Sequence, residues 1–178
     1  MSEINDSTPI TFGNARSVGG KLDKQTFWIR VLSNSQTKEV DWSQSSGQLD
    51  WSMENPDQII YFRSDKTAEN QQWYFIYDES DDTYQFMAGP LTVNGAITAA
   101  YPAADTSGTK VVARNSNADK WKLFNNIGET DFGSELLLFI NASTGKSMEV
   151  PGGKLNTSLI LNDLNGSMDQ CFVLIPVS

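Results

Sequence analysis

A short pattern of polar and apolar residues recurs three times along this chain. Each copy places a polar residue two positions before a large aromatic residue, which opens a short apolar run; these aromatics are Trp73, Trp121 and Phe172. The intervals between them are 48 and 51 residues. A repeat of this length indicates one supersecondary unit used three times, each copy unable to bury its apolar face alone. The chain is therefore constrained to a body with approximate threefold symmetry, and the three aromatics are predicted to lie in its core.

The segments between the aromatics carry strand and turn signals and no helical periodicity. Apolar runs rich in aromatic and branched residues begin at Phe27, Tyr84 and Leu136. Turn sequences separate the runs, at Asn94-Gly95, Pro151-Gly152-Gly153 and Asn165-Gly166. The pattern predicts an all-β protein.

The first unit is longer than the other two. Counted from a residue of its first strand to its terminal aromatic, the span is 46 residues for Phe27 to Trp73, 37 for Tyr84 to Trp121, and 35 for Leu137 to Phe172. The extra residues of the first unit are predicted to form an insertion.

The insertion in the first unit contains the same tripeptide twice. Asp-Trp-Ser occurs at 41–43 and again at 50–52. A two-residue turn at Ser46-Gly47 would place Trp42 opposite Trp51 in a hairpin. Such a cross-strand aromatic pair stabilises a hairpin by about 0.2–1 kcal/mol. We therefore expect these two tryptophans to face each other.

Composition excludes several classes of function. The chain has 178 residues, which suits a single domain. Its formal net charge is −9, whereas proteins that bind nucleic acid or anionic membranes need a basic surface. No apolar run approaches the ~18 residues of a membrane span, and the first residues show no signal-peptide pattern. The expectation is a protein without membrane insertion that is cytoplasmic or exported by a non-classical route.

The absence of histidine argues against catalysis. Without it the chain lacks the usual general base and the commonest transition-metal ligand. We therefore expect no enzymatic activity, no metal and no cofactor. The single cysteine, Cys171, lies in an apolar strand pattern, which predicts a buried structural thiol.

Two segments imitate ligand-binding loops. Thr144-Gly145-Lys146-Ser147 ends like a phosphate-binding loop, but Ile140 stands where that loop needs its first glycine. The acidic run at 78–82 lacks the ligand spacing and central glycine of a calcium loop. Both segments are predicted to be turns between strands.

The threefold arrangement resembles the ricin-B-type lectin family, whose β-trefoil units end in a Gln-any-Trp signature. The signature is complete at Gln71 and Trp73, whereas Asp119 replaces the glutamine before Trp121 and Phe172 replaces the tryptophan after Gln170. The resemblance covers about residues 25–178. It implies a β-trefoil, a six-stranded barrel closed at one end by three hairpins.

The predicted domain organisation follows from this resemblance. Residues 1–24 are rich in serine, asparagine, aspartate and glycine, which predicts a loosely held polar arm. The trefoil then occupies 25–178, with units at about 25–78, 79–128 and 129–178. They are called the first, second and third units below.

The resemblance also implies carbohydrate-binding positions. In that family a competent unit uses an acidic residue after the first strand, an aromatic in the middle strand region, and a polar pair overlapping the terminal signature. The first unit offers Asp41, Trp42, Asp50, Trp51, Asn70 and Gln71, with Tyr61 or Phe62 as the aromatic. The third unit offers Glu149, Asn162, Asp163, Asp169 and Gln170, with Asn162 in the place of the aromatic. In the second unit Ala99-Ala100 stands where the acid belongs, so that site is predicted to be inactive.

These residue types suit sugar recognition, although a structural role is an alternative for each. Planar carboxylate and amide groups hydrogen-bond sugar hydroxyls, and an aromatic ring covers the apolar face of the pyranose. The same polar side chains could instead satisfy backbone groups at strand ends, and the doubled tripeptide could be a structural hairpin.

The predicted function is that of a non-catalytic lectin whose partners are glycans or glycoconjugates. Two weak sites, or a homodimer, would raise avidity without new contacts. A trefoil protease inhibitor is the main alternative, acting through the first-unit insertion or the loop Ala99–Asp105. The glycan-targeting subunit of a toxin and a trefoil with only a protein-contact role are further alternatives.

Overall fold

The computed structural model describes residues 16–34, 47–52, 57–65, 67–93, 96–115, 118–125 and 135–177, without the side chains of 90–98 and 135. The strands in this part of the chain are β1 (Arg16–Ser17), β2 (Thr26–Val31), β3 (Gly47–Trp51), β4 (Ile59–Arg63), β5 (Trp73–Asp78), β6 (Thr83–Val93), β7 (Ala96–Ala104), β8 (Val111–Arg114), β9 (Trp121–Asn125), β10 (Glu135–Asn141), β11 (Ser147–Glu149), β12 (Thr157–Ser158), β13 (Ile160–Asn162) and β14 (Phe172–Pro176). Short 3-10 helices lie at Gly19–Leu22, Leu32–Asn34, Glu69–Gln71, Pro151–Gly153 and Met168–Gln170. Within these ranges no helix has the length and apolar character needed to cross a membrane.

Six antiparallel strands close into a barrel. Their order is β9, β10, β14, β2, β5 and β6, and β6 pairs again with β9. Closure leaves none of the six with an unpaired edge. Three hairpins, β3–β4, β7–β8 and β11–β13, complete the fold. The predicted all-β architecture, a β-trefoil, is confirmed.

The register of the barrel follows the repeat in the sequence. In each unit the first strand lies antiparallel to the strand that opens with the terminal aromatic. The facing residues are Phe27 with Trp73, Tyr84 with Trp121, and Leu137 with Phe172.

The hairpins are tied to each other and to the barrel. The backbone nitrogen of Val111 donates to the carbonyl of Leu159 at 3.1 Å, and the nitrogen of Leu159 donates to the carbonyl of Ile59 at 3.2 Å. The indole nitrogens of the terminal tryptophans reach into their own hairpins, from Trp73 to the carbonyl of Leu49 at 3.0 Å and from Trp121 to that of Pro102 at 3.1 Å. These contacts fix where each hairpin begins relative to the barrel.

Aromatic rings fill the barrel. Phe75 stacks on Phe86 with ring centroids 5.0 Å apart, and Phe86 meets Phe139 edge to face at 5.3 Å. Phe139 in turn contacts Phe172 at 5.4 Å. Such pairs contribute about 0.5–1.5 kcal/mol each beyond the burial of their area. All three terminal aromatics are fully buried, which confirms their predicted place in the core.

Residues 16–24 pack onto the barrel although the sequence assigned them to the polar arm. Strand β1 pairs with β9, and the side chains of Val18 and Leu22 are buried in the main core. The backbone nitrogen of Leu22 donates to the hydroxyl of Tyr84 at 3.1 Å. Residues 16–24 therefore belong to the packed body, and residues 1–15 of the predicted arm lie outside the described residues.

In the described residues β3 forms a hairpin with β4, and residues 41–46 of the hairpin predicted around Ser46-Gly47 lie outside them. Gly47 is the first residue of β3 and faces Arg63, while Trp51 faces Ile59 across the β3–β4 pair. A Cβ atom at Gly47 would lie 2.5 Å from the ring of Tyr61, so close approach to a neighbouring strand, and not a turn, requires glycine here. Trp42, the expected partner of Trp51, lies outside the described residues.

The two imitation loops are turns, as predicted. Residues 142–144 form a turn between β10 and β11, followed by Gly145 with φ of +71°. Residues 79–82 form the turn between β5 and β6. The ammonium of Lys120 lies 2.8 Å from the carboxylate of Asp78 and 2.7 Å from that of Asp81, which balances part of the acidic run.

Candidate functional site

The register of the three hairpins defines one equivalent position that carries an acid in two units. Asp50 faces Ile60, Glu149 faces Ile160, and Ala103 faces Val112. The acid of the second unit is therefore replaced by Ala103. Ala99 and Ala100, to which the sequence assigned the missing acid, lie earlier in β7.

In the first unit a buried glutamine holds the acid. The side-chain nitrogen of Gln71 donates to Asp50 Oδ2 at 2.6 Å and to the backbone carbonyl of Arg63 at 3.0 Å. Its side-chain oxygen accepts from the backbone nitrogen of Asp65 at 2.7 Å. A donor-only and an acceptor-only backbone group thus set the orientation of the Gln71 carboxamide, with its nitrogen toward the acid.

The third unit repeats these three contacts. The side-chain nitrogen of Gln170 donates to Glu149 Oε1 at 3.0 Å and to the carbonyl of Asp163 at 2.8 Å. Its oxygen accepts from the backbone nitrogen of Asn165 at 3.0 Å. The acid and the signature glutamine therefore form the same element twice.

A 3-10 turn positions each glutamine. Gln71 and Gln170 are the last residues of the turns Glu69–Gln71 and Met168–Gln170, directly before the terminal strands. In the third unit the hydroxyl of Ser167 accepts from the backbone nitrogen of Asp169 at 2.9 Å and caps the turn. The turn redirects the chain so that the glutamine points inward under the hairpin.

The second unit satisfies the same region without an acid on its hairpin. Asp119 stands where the other units have glutamine, and its Oδ2 accepts from the backbone nitrogen of Ala104 at 2.8 Å and from Asn141 Nδ2 at 2.9 Å. Ala103, fully buried beside this contact, offers no polar group. The trefoil therefore closes its hairpin here with an alanine at the acid position.

The first residue of each polar pair also reaches the site. Asn70 Nδ2 donates to Asp50 Oδ1 at 3.1 Å and to the carbonyl of Trp51 at 3.0 Å. In the third unit Asp169 Oδ2 accepts from the backbone nitrogen of Gly152 at 3.0 Å. Both side chains are partly exposed, so each can present polar atoms to a ligand.

Burial sets the electrostatics of the first-unit acid. Asp50 is 6% exposed, and this desolvation raises its pKa to about 6, while its hydrogen bonds from Gln71 and Asn70 lower it. The desolvation effect is the larger one. Above that pH the group is a carboxylate that can accept a hydrogen bond from a hydroxyl group.

The exposed aromatic of the first unit lies on the same face as its acid. Phe62 faces Gln48, two residues before Asp50 on β3, and alternate residues of a strand share a face. Phe62 is 38% exposed, whereas Tyr61 is fully buried, so the predicted choice between them falls on Phe62.

The equivalent residue of the third unit is Asn162. It faces Ser147, two residues before Glu149, and its side-chain nitrogen donates to Glu149 Oε1 at 3.5 Å. Asn162 is exposed. An amide therefore takes the place of the aromatic ring, as the sequence predicted.

The remaining predicted residues divide into three groups. Trp51 is 1% exposed and packs in the main core, which favours a structural role for its ring. Asp163 is exposed and contributes its backbone carbonyl to the arrangement. Asp41 and Trp42 lie outside the described residues.

Among the residues that the structure describes, no group of three or more His, Cys, Asp or Glu side chains is placed to hold a metal ion.

Two buried polar residues of the first unit escaped sequence reasoning. Gln48 Nε2 donates to the side-chain oxygen of Gln71, and Arg30 Nη2 donates to Gln48 Oε1 at 3.3 Å. Strand alternation would have placed Gln48 on the face of Asp50 once β3 was known. Arg30 lies in an apolar run, Phe27 to Leu32, and carried no signal of a role.

The buried thiol has no part in this site. Cys171 lies in a second apolar cluster outside the barrel, with Leu136, Leu138 and Val173. Burial raises the pKa of the Cys171 thiol to about 12. The thiol is therefore protonated near neutral pH, and its predicted structural role is confirmed.

No family model matches the chain, and no curated protein matches it. Solved structures do. A mosquitocidal holotoxin matches 92% of this chain with 14% identity and a TM-score of 0.66, and the chain spans 18% of that toxin. The agglutinin of Rhizoctonia solani matches 95% of this chain, over 99% of its own, with 13% identity and a TM-score of 0.62.

A proteinase inhibitor from Coprinopsis cinerea is similar over 88% of this chain and 100% of its own, with 16% identity and a TM-score of 0.58. At such identities the likeness shows a shared β-trefoil fold, and the three neighbours have different functions.

Proposed function

We propose that this protein binds carbohydrate without converting it, through one site in the first unit and one in the third, in the manner of the ricin-B-type lectins that its sequence resembles. The observation that carries the proposal is the acid–glutamine element, built twice with the same three contacts.

The second unit supports a role for the acids beyond folding. Its hairpin packs with Ala103 at the acid position, and Asp119 alone satisfies the neighbouring backbone nitrogen. A buried carboxylate carries a desolvation cost, which the raised pKa of Asp50 reflects. Since the fold accepts alanine there, Asp50 and Glu149 are best explained by a ligand that needs an acceptor.

In the first unit the ligand would meet an acceptor, an amide and an aromatic ring. The carboxylate of Asp50 would accept from a sugar hydroxyl, and Asn70 would add a planar amide beside it. Phe62 lies on the same hairpin face and would cover an apolar face of the pyranose ring.

The third-unit site would rely on polar contacts. Glu149, Asn162 and Asp169 provide carboxylate and amide atoms, and no aromatic occupies the position equivalent to Phe62. Each site is shallow, because its acid is nearly covered and only part of each remaining group is exposed. Useful affinity would then come from engaging both sites on one multivalent glycan surface.

Protease inhibition through the predicted loop Ala99–Asp105 is not favoured. Residues up to Ala104 belong to β7, which pairs with both β6 and β8, and Ala100, Pro102 and Ala103 are buried. Ala100 pairs with Ala88 of β6, and residues 101–104 pair with β8. An inhibitory loop must reach into a protease cleft, and residues held in strand pairs are not free to do so.

A glycan array tests the proposal directly. The labelled protein should retain a set of glycans that the double variant Asp50→Ala/Glu149→Ala loses, while Glu79→Ala, in the exposed β5–β6 turn, retains the same set. Circular dichroism would establish that all three proteins are folded. A blank array with folded wild-type protein, or unchanged retention by the double variant, would contradict the proposal and direct the next screen to proteases.

A further inference from the structure

A buried arginine distinguishes the first unit from the other two. Arg30 on β2 lies three residues after the strand residue that faces the terminal aromatic, and it is fully buried. The same position holds Met87 in the second unit and Ile140 in the third. The barrel therefore accepts an apolar side chain at this position.

Arg30 is joined to the first-unit acid by two glutamines. Its Nη2 donates to Gln48 Oε1 at 3.3 Å, and Gln48 Nε2 donates to the side-chain oxygen of Gln71. Gln71 then donates to Asp50 at 2.6 Å. All four side chains are buried, where hydrogen bonds are stronger than in water and polarise one another.

Arg30 favours the same direction for these hydrogen bonds as the backbone groups that contact Gln48 and Gln71. A guanidinium group has donors only, so the oxygen of Gln48 must face it. The nitrogen of Gln48 then faces the oxygen of Gln71, which draws charge along the Gln71 carboxamide and strengthens its nitrogen as a donor.

The third unit lacks this series of hydrogen bonds and therefore serves as a natural comparison. Ser147 stands where the first unit has Gln48, and it faces Ile140 across the β10–β11 pair. The oxygen of Gln170 accepts from the backbone nitrogen of Asn165. The glutamine–acid distance is 3.0 Å there, against 2.6 Å in the first unit.

We propose that Arg30 is a positioning residue of the first-unit site, which acts through Gln48 and Gln71 to hold the carboxylate of Asp50 as a ligand-ready acceptor. The role for the ligand rests on the proposed carbohydrate function, whereas the coupling between Arg30 and Asp50 does not. The two glycan sites would then differ in how firmly their acids are held as well as in their exposed groups.

The coupling can be measured without a sugar. Carbon NMR of the side-chain carboxyls gives the pKa of Asp50 in the wild type and in Arg30→Met, which copies the residue that the second unit carries at this position. We expect the variant to raise the Asp50 pKa by about 0.5 unit, because the carboxylate loses part of one charge-assisted hydrogen bond. Arg30→Lys keeps a donor-only cation, so its Asp50 pKa should stay close to the wild-type value.

Two controls separate coupling from packing. Ile140→Met changes the equivalent barrel position in the third unit and should leave the Asp50 pKa at its wild-type value. In the wild-type protein, the side-chain amide signals of Gln48 and Gln71 and the guanidinium signals of Arg30 should all titrate with the midpoint of Asp50. This measurement needs no variant to fold.

The outcomes are distinct. An unchanged Asp50 pKa in folded Arg30→Met, or Gln48 and Arg30 signals that do not follow the titration of Asp50, would overturn the proposal. With Glu149→Ala as background, Arg30→Met should also weaken retention of the array-selected glycan at neutral pH by several-fold. Coupling without glycan retention in the wild type would instead overturn the carbohydrate function and leave the coupling intact.

Discussion

The side-chain nitrogen of Gln71 donates to the carboxylate of Asp50 at 2.6 Å, although the two residues are 21 positions apart in the chain. Gln170 and Glu149 are related in the same way, with the same separation of 21 positions. The second unit closes its hairpin without this contact, so the fold itself does not require it.

Asp50→Asn should change how stability depends on pH. The folded-state pKa of Asp50 is about 6 against an ordinary value of 3.8, so the folded protein binds this proton more tightly than the unfolded chain. The contribution of Asp50 to the free energy of unfolding therefore falls as pH rises from about 4 to about 6 and is constant above. Because the variant lacks this titration, its Tm relative to the wild type should rise across that window.

Thermal unfolding of both proteins between about pH 4 and about pH 8 measures the difference. Taking the difference removes the contributions of other carboxylates, which both proteins share. A Tm difference that stays constant over the whole range would show that Asp50 does not titrate as described.

Gln71→Leu should be strongly destabilising. It removes the donor to Asp50 and the acceptor for Gln48, both of which are buried, as well as the acceptor for the part-buried backbone nitrogen of Asp65. We expect a loss of about 3 kcal/mol in the free energy of unfolding by denaturant titration, since unsatisfied buried polar groups cost this order of free energy. Gln85→Leu, which removes one partly buried bond to the carbonyl of Ala118, is the matched control and should cost about 1 kcal/mol or less. Equal losses of stability in the two variants would mean that the hydrogen bonds of Gln71 contribute no more than the single bond of Gln85.

Phe62→Ala should separate binding from stability. Phe62 is 38% exposed, so truncation should change the free energy of unfolding by about 0.5 kcal/mol or less. Retention of glycan by the first unit, measured with Glu149→Ala as background, should nevertheless be lost. Ile76→Ala removes an apolar side chain of nearly equal exposure, 37%, on β5 and should leave retention intact. If both variants retain the glycan, Phe62 does not belong to the binding site.

Ala103→Asp should fail to rebuild a site in the second unit. The new carboxylate would lie under the hairpin beside Asp119, with no glutamine to donate to it. An uncompensated buried charge costs about 3–5 kcal/mol, which chemical denaturation would reveal. The double variant Ala103→Asp/Asp119→Gln supplies the missing amide and should recover a large part of that loss. Strictly additive effects of the two substitutions would contradict the proposed pairing.

The barrel could be predicted from the sequence because its signal is local. A terminal aromatic next to a short apolar run specifies a buried strand, and three copies at similar spacing specify the symmetry. The burial of Trp73, Trp121 and Phe172 followed directly from this pattern. The hairpin of the first unit could not be predicted in the same way, because the repeated Asp-Trp-Ser suggested a symmetric turn. The partner of Trp51 is instead Ile59, in a strand beyond the repeat.

The candidate site could be predicted in part. The polar residues before each terminal aromatic could be identified from the sequence. Several acids precede them, however, and no single segment shows which of these acids is buried. The separation of 21 residues shared by Asp50–Gln71 and Glu149–Gln170 was the usable signal. The second unit does not repeat this separation, because Ala103 lies only 16 positions before Asp119. Arg30 could not be found at all, since only the folded barrel brings it to Gln48.

The number of glycan sites tests the central claim most directly. Calorimetric titration with the glycan best retained on the array should give two sites per wild-type chain, one in Asp50→Ala, one in Glu149→Ala and none in the double variant. A wild-type chain that binds no glycan, or single variants that both keep two sites, would show that the repeated acid–glutamine element is structural and that the protein's ligand binds elsewhere.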